Sequence, residues 1–149
     1  MREFQTILVA TDFSDCSRAA FDYGLGLARK LEARLLLVHV INEPLDLQGF
    51  YVPHVSFDRL AEEIEEGAKK MMDDFCKVKL SDFENYETRL VTGLPFEEIV
   101  KIASTENVDM VVLGTHGRSG LDHILFGSTA EKVVRKSPVP VLSIRTPEA

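Results

Sequence analysis

Glycines and hydroxyl residues between positions 114 and 129 form the segment of this sequence best suited to bind a phosphate group. Gly114 and Gly117 lie at its start, and Gly127 stands directly before Ser128 and Thr129. Glycines let backbone N–H groups approach an anion without a Cβ in the way. A helix beginning at Ser128 would add its free N–H groups and its positive dipole end, with the two hydroxyls as further donors.

A structural role explains the same pattern, so both interpretations stay open on the local sequence. The glycines can serve simply as turn residues. Ser128 and Glu131 have the spacing of a capping box, in which Ser128 caps the helix and Glu131 reaches back to the cap. Arg118 is the nearest cation in sequence to balance a bound phosphate, but a loop arginine can equally well be solvated.

Asp12 is the candidate ligand-binding carboxylate, because it follows the first apolar run, Thr6–Ala10, after one intervening residue. A carboxylate at a strand end can accept hydrogen bonds from ribose hydroxyls or hold a divalent ion, and its alternative role is to cap the first helix. His116 and His123 flank Asp122 in the glycine segment, but no partner that would orient either ring as a base is recognisable. We therefore predict no dedicated catalytic residue and leave the metal site undefined.

The remaining residues with chemical potential are predicted to be structural. Gly24 and Gly26 lie inside a helical pattern, not at a strand-to-helix turn, so we interpret them as packing devices. His39 falls within an apolar strand and His54 in an irregular stretch, neither with metal-ligand spacing. The pair Met71–Met72 belongs to the apolar face of a helix and is predicted to be core.

The elements that must position these residues alternate along the chain. Near-continuous apolar runs, typical of strands covered on both faces, span 6–10 and 34–41. Three further strands are predicted over 86–91, 108–113 and 139–144. Helical spacing predicts a helix after each of the first four strands. The first is capped by Ser14 or Ser17, the second includes Phe57 to Phe75, the third begins at Pro95 and the fourth covers 128–135.

This alternation predicts a doubly wound α/β fold. Crossovers between parallel strands are right-handed and place helices on both faces of the sheet. Ligands in such folds bind beyond the carboxyl ends of the strands, where the strand order reverses. The irregular, apolar stretch 43–56 either closes over a ligand, offers a surface to a partner or packs on the second helix.

Composition and charge exclude several classes of protein. The 149 residues allow a single domain over 1–149, and a net charge of −7 disfavours nucleic acid or an anionic membrane as partner. No apolar run is long enough to span a bilayer and no signal peptide is recognisable, so we expect a cytoplasmic protein. Two distant cysteines, Cys16 and Cys76, fit neither a disulfide framework nor a zinc site.

The motifs together resemble the ATP-binding branch of the universal stress protein family. The resemblance rests on the spacing of Gly114, Gly117 and Gly127, on TILVATDFS at 6–14, and on PVPVL at 138–142. It covers essentially the whole chain. It implies a single sheet of five parallel strands in the order 3-2-1-4-5, a homodimer, and ATP between the ends of the first and fourth strands; whether Mg²⁺ accompanies the ATP is left open.

The resemblance also implies a set of ligand contacts. Carried over position by position, the nucleotide contacts fall on Ala10, Thr11, Asp12, Val40, Leu113, Gly114, Gly117, Gly127, Ser128 and Thr129. The first four fall at adenine and ribose, and the last three at the phosphates. Some family members carry a second hydroxyl residue where this chain has Ala130.

Three functions follow as hypotheses. The first is a stress-response regulatory module, in which bound ATP stiffens the glycine loop and changes a surface seen by a protein partner. The second is a slow ATPase or phosphotransferase using the same site, and the third is a dimeric interaction protein with an empty site. The dimer is predicted to form through the last strand, an uncovered sheet edge, although Pro138 and Pro140 each lack an N–H group there.

Overall fold

The structure, a computed structural model, describes residues 3–42, 57–116 and 126–146. Strands and helices alternate throughout these residues. Their order is β1 (Thr6–Ala10), α1 (Asp15–Leu31), β2 (Arg34–Asn42), α2 (Phe57–Lys79), β3 (Tyr86–Gly93), α3 (Pro95–Thr105), β4 (Met110–Gly114), α4 (Ser128–Lys136) and β5 (Val141–Ile144). None of the helices in the described residues is long and apolar enough to cross a membrane.

The five strands form one parallel sheet in the order β3-β2-β1-β4-β5, which confirms the predicted fold class and strand order. β1 lies at the centre, and all five of its residues are buried. Its continuous apolar sequence follows from that position, because both faces of a central parallel strand are covered by helices. The order reverses between β1 and β4, so the carboxyl ends of these strands border a crevice.

Each face of the sheet packs against two helices. On one face, Ile7 and Leu35 pack with Phe21 of α1 and Phe75 of α2. On the other face, the core contains residues of α3 and α4 together with alternate strand residues: Leu8, Leu36, Val111, Ile99 and Val133. Successive residues of a strand point to opposite faces, which is why neighbouring residues such as Ile7 and Leu8 belong to different clusters.

The two glycines of α1 have different roles. A Cβ on Gly24 would overlap Cγ2 of Val9, so α1 lies against β1 at a distance that only glycine permits. The predicted packing role of Gly24 is confirmed. Nothing lies within 4 Å of a Cβ on Gly26, so the same prediction for Gly26 is wrong.

Several strand and core predictions are wrong at their edges, for local reasons. β4 begins at Met110 and not at 108, because the Asp109 carboxylate accepts hydrogen bonds from the backbone of Gln5 and Thr6. β5 begins at Val141 and not at 139, because the side chain of Ser137 bonds both polar backbone groups of Val139. Met72 is buried as predicted, but its neighbour Met71 is 41% exposed.

Candidate functional site

A cavity of about 650 Å³ lies at the carboxyl edge of the sheet, where the fold class places ligand sites. Its volume falls within the range of small-molecule binding pockets, roughly 300 to 1,000 Å³. Residues from the ends of β1, β2 and β4 line it, together with both termini of the segment 116–127 and parts of α2, α3 and α4. Of the predicted site residues, the cavity lining includes Ala10, Thr11, Asp12, Val40, Leu113, Gly114, Gly127, Ser128 and Thr129.

The turn between β1 and α1 holds Asp12 in a fixed position. Oδ1 of Asp12 accepts a hydrogen bond from the Ser14 N–H at 3.0 Å, and Oγ1 of Thr11 accepts one from the Phe13 N–H at 3.0 Å. Phe13 has a φ of 63°, a left-handed conformation that costs a non-glycine residue about 1 to 2 kcal/mol. Because Ser14 caps α1, the alternative roles of Asp12 and Ser17 as caps are wrong, and the Asp12 side chain lines the cavity instead.

β2 extends beyond β1, which leaves part of its backbone facing the cavity. Ala10 pairs with Val38, and the Thr11 N–H donates to the Val38 carbonyl at 2.9 Å. The next residues of β2, 39 to 42, pair with β3 only. Since alternate residues of a strand direct their N–H and C=O groups to the same side, those of Val40 point the same way as those of Val38, past the end of β1. Val40 therefore presents one donor and one acceptor at the cavity.

The His39 side chain also lines the cavity, so its prediction as a purely structural strand residue is incomplete. Its Nδ1 lies 2.7 Å from the Thr11 carbonyl oxygen, and its ring lies against Phe13 with the centroids 4.7 Å apart. His39 thus joins the end of β2 to the turn that carries Asp12. The sequence gives no sign of this role, because His39 reaches the cavity only where β2 extends beyond the shorter β1.

The amino terminus of α4 faces the cavity without a side-chain cap. Gly127 is the N-cap residue and offers no side chain, while Ser128 is the first helical residue. Glu131 is paired with Arg135 at 3.2 Å. The alternative of a capping box centred on Ser128 is therefore wrong, and no carboxylate is folded back over the first turn from Glu131.

Two glycines of the predicted phosphate segment lie close to other parts of the protein backbone. A Cβ on Gly114 would lie 2.8 Å from Sγ of Cys16 and 3.0 Å from its carbonyl oxygen. A Cβ on Gly127 would lie 3.1 Å from the Thr115 carbonyl oxygen, which accepts the Gly127 N–H at 2.7 Å. Close approach of one backbone to another therefore accounts for both residues. The predicted approach of a ligand to them remains a proposal.

The electrostatics of the lining come from few groups. Asp12 supplies a carboxylate, and none of the described lining residues is a lysine or arginine. Cys16 lies beside Gly114, and burial acts to raise its thiol pKa, but hydrogen bonds from Thr146, His116 and Thr115 outweigh burial and hold the pKa below its usual value. In the described part of the chain, no group of three or more His, Cys, Asp or Glu residues has the arrangement of a metal site.

Some predicted site residues lie outside the described part of the chain, and some residues of the cavity lining were not predicted. Gly117 and Arg118 lie outside the described residues, as do His54, His123 and the stretch 43–56. The lining residues that the sequence did not indicate include Asn42, Thr115 and one face of α2, formed by Ile64, Gly67, Ala68 and Met71. The helical periodicity of α2 gave its apolar face, but only tertiary packing shows that part of this face borders a cavity.

Comparison with known proteins gives consistent matches over nearly the whole chain. The model of the universal stress protein family matches residues 3–145. Universal stress protein MJ0577 of Methanocaldococcus jannaschii is 30% identical, with 95% of each chain covered. Universal stress protein YxiE of Bacillus subtilis is 33% identical, with 95% of this chain and 99% of the relative covered.

Solved structures match in the same way. The structure of MJ0577 superposes with a TM-score of 0.85 at 31% identity, covering 99% of this chain and all of the other. A universal stress protein crystallised in complex with cAMP has a TM-score of 0.63 at 26% identity, covering 96% of this chain and 98% of the other.

Proposed function

The chain belongs to the universal stress protein family, and from this premise we propose that it is a regulatory module that binds ATP in the cavity at the carboxyl edge of the sheet. One observation carries the proposal. A single cavity joins the Val40 backbone, the Asp12 carboxylate and the first turn of α4. These three groups match the three chemically different parts of a nucleotide.

The base lies at the end of β2. The N–H and C=O groups of Val40 form a donor and acceptor pair of the kind that adenine requires, with the amine donating to the carbonyl and a ring nitrogen accepting from the N–H. Apolar lining residues such as Ile41 and Ile99 supply contact for the flat faces of the ring. The solved complex of a family member with cAMP supports an adenine ligand.

The ribose lies beside Asp12 and the phosphates at α4. A carboxylate at a strand end accepts hydrogen bonds from ribose hydroxyls. The first-turn N–H groups and the dipole of α4 favour an anion, and Ser128 and Thr129 add hydroxyl donors. Since none of the described lining residues is a lysine or arginine, α4 is the main source of positive potential among them, and we assign Arg118 as the further cation.

We expect Mg²⁺ to enter only as the complex with the triphosphate. Mg²⁺ in such complexes is held largely by phosphate oxygens and water, with one or two carboxylates from the protein. Asp12 is the one carboxylate among the described lining residues. The enzyme alternative, a slow ATPase or phosphotransferase, needs a positioned base or water-binding group, and we propose none.

The module is proposed to be a homodimer joined through β5. Pro140 and Ile144 direct their carbonyl oxygens to β4, where they accept the N–H groups of Val111 and Thr115. Because the direction of the backbone groups alternates along a strand, the N–H group that Pro140 lacks would also have pointed to β4. Val141 and Ser143 therefore direct complete backbone groups to the free edge, where a second copy can pair antiparallel.

The experiment that tests the proposed ligand is identification of the small molecules released when the purified protein is denatured. We expect ATP or another adenine nucleotide, separated by chromatography and identified by mass. An Asp12→Asn variant treated in the same way should release less. Release of a non-nucleotide metabolite in stoichiometric amount would overturn the proposal.

A further inference from the structure

We propose that the His39 side chain accepts a hydrogen bond from the exocyclic amine of the bound base and so contributes to the selection of adenine among purines. The inference rests on the proposed function, because it assigns a role within the same cavity. It concerns the imidazole side chain, which points to the opposite face of β2 from the Val40 side chain. It is therefore separate from the backbone contacts of Val40.

The hydrogen bond to Thr11 fixes which ring nitrogen carries the proton. Nδ1 of His39 lies 2.7 Å from the Thr11 carbonyl oxygen. A carbonyl oxygen only accepts hydrogen bonds, so Nδ1 is the donor. A neutral imidazole has one N–H group, so Nε2 carries a lone pair and acts as an acceptor.

Nε2 remains accessible. None of the described residues forms a hydrogen bond to Nε2. If Nε2 were buried, it would be a buried nitrogen without a partner, and the described residues include no such side-chain atom. Nε2 must therefore keep accessible surface. His39 is half-buried and lines the cavity, and Phe13 braces its ring from one side. The result is a rigid acceptor at the ligand site.

The order of the strands indicates which part of the ligand meets this acceptor. Adjacent strands are about 4.8 Å apart, so β2 lies roughly 10 Å from β4, with β1 between them. The proposed phosphates lie at α4, which follows β4, and the proposed ribose lies at Asp12, which follows β1. The base, at the other end of the ligand, then lies at β2, the next strand of the sheet. On adenine the hydrogen-bond donor is the exocyclic amine, which has two N–H groups, one for the Val40 carbonyl and one for Nε2 of His39. Hypoxanthine and guanine carry a carbonyl at that position. Its oxygen is an acceptor and would be repelled by the lone pair of Nε2.

The test is a double-mutant cycle between the His39 side chain and the amine. The ligands are ATP and purine riboside triphosphate, which lacks the amine and is otherwise unchanged. The variants are His39→Asn, whose amide nitrogen takes the place of Nδ1 and keeps the bond to Thr11, and His39→Gln, whose amide group reaches the place of Nε2 and supplies an acceptor there. Calorimetry gives the dissociation constants, and circular dichroism verifies folding.

We expect the unmodified protein to bind ATP more tightly than purine riboside triphosphate. In His39→Asn the ratio of the two dissociation constants should fall by about threefold to tenfold, as expected for the loss of one hydrogen bond. His39→Gln should keep more of the preference than His39→Asn. An equal preference in the unmodified protein and both variants would overturn the role of His39 while leaving ATP binding intact. Failure of the unmodified protein to bind either nucleotide would instead overturn the proposed function.

Discussion

Asp12 is the residue whose role depends most directly on charge. Its Oδ1 is already used by the Ser14 N–H, so replacement by asparagine preserves that contact and the turn. The asparagine amide lacks the negative charge that strengthens hydrogen bonds from ribose hydroxyls. Loss of a charge-assisted hydrogen bond costs about 1.5 to 3 kcal/mol, so we expect Asp12→Asn to weaken ATP binding by about tenfold or more in calorimetry.

Asp15→Asn is the matched control for this prediction. Asp15 is an exposed carboxylate in the first turn of α1, three residues from Asp12 and outside the cavity lining. It should leave the ATP dissociation constant within twofold of the unmodified protein. Equal affinities of Asp12→Asn and Asp15→Asn would remove Asp12 from the site.

At the scale of elements, α4 is expected to recognise phosphate. Thr129→Val preserves the shape of the side chain and removes its hydroxyl, so ATP affinity should fall about threefold to tenfold, as expected for one hydrogen bond. Adenosine affinity should not change, because adenosine has no phosphate. The control is Thr105→Val, since Thr105 bonds the Lys101 carbonyl within α3. An equal loss for adenosine would show that Thr129 does not meet the phosphates.

The two glycines of α1 give a paired prediction about stability. Gly26→Ala adds a methyl group in open space and improves helix propensity, so the free energy of unfolding should rise by about 0.5 to 1 kcal/mol. Gly24→Ala forces α1 away from Val9 and should lower it by about 1 to 3 kcal/mol. Urea unfolding measures both. A stabilising Gly24→Ala would contradict the close contact between α1 and β1.

The elements themselves were predictable where local sequence decides them. β1 was predicted with its observed bounds, because a central strand needs a continuous apolar run. The start of β5 was not predictable, since it depends on hydrogen bonds from Ser137 to the backbone of Val139. The site, too, was predictable only in part. A glycine next to a strand end signals close approach, but the sequence does not show that Gly114 is approached by Cys16.

At the scale of the whole molecule, the β5 edge predicts the oligomeric state. Ser143→Pro removes the N–H group that faces the free edge and leaves the contacts with β4, so it should shift the protein from dimer to monomer. Ser143→Ala retains the N–H group and should remain a dimer. Light scattering at tens of micromolar distinguishes the two masses. An unmodified protein that is monomeric at this concentration would refute the proposed interface.

Titration of nucleotide-free protein with ATP in a calorimeter shows directly whether the cavity at the carboxyl edge of the sheet binds ATP. We expect saturable binding of one ATP per chain, weaker binding of adenosine because α4 then has no phosphate to bind, and a reduced affinity in Asp12→Asn. If correctly folded, nucleotide-free protein binds no ATP, the cavity is not an ATP site and the proposed function is wrong.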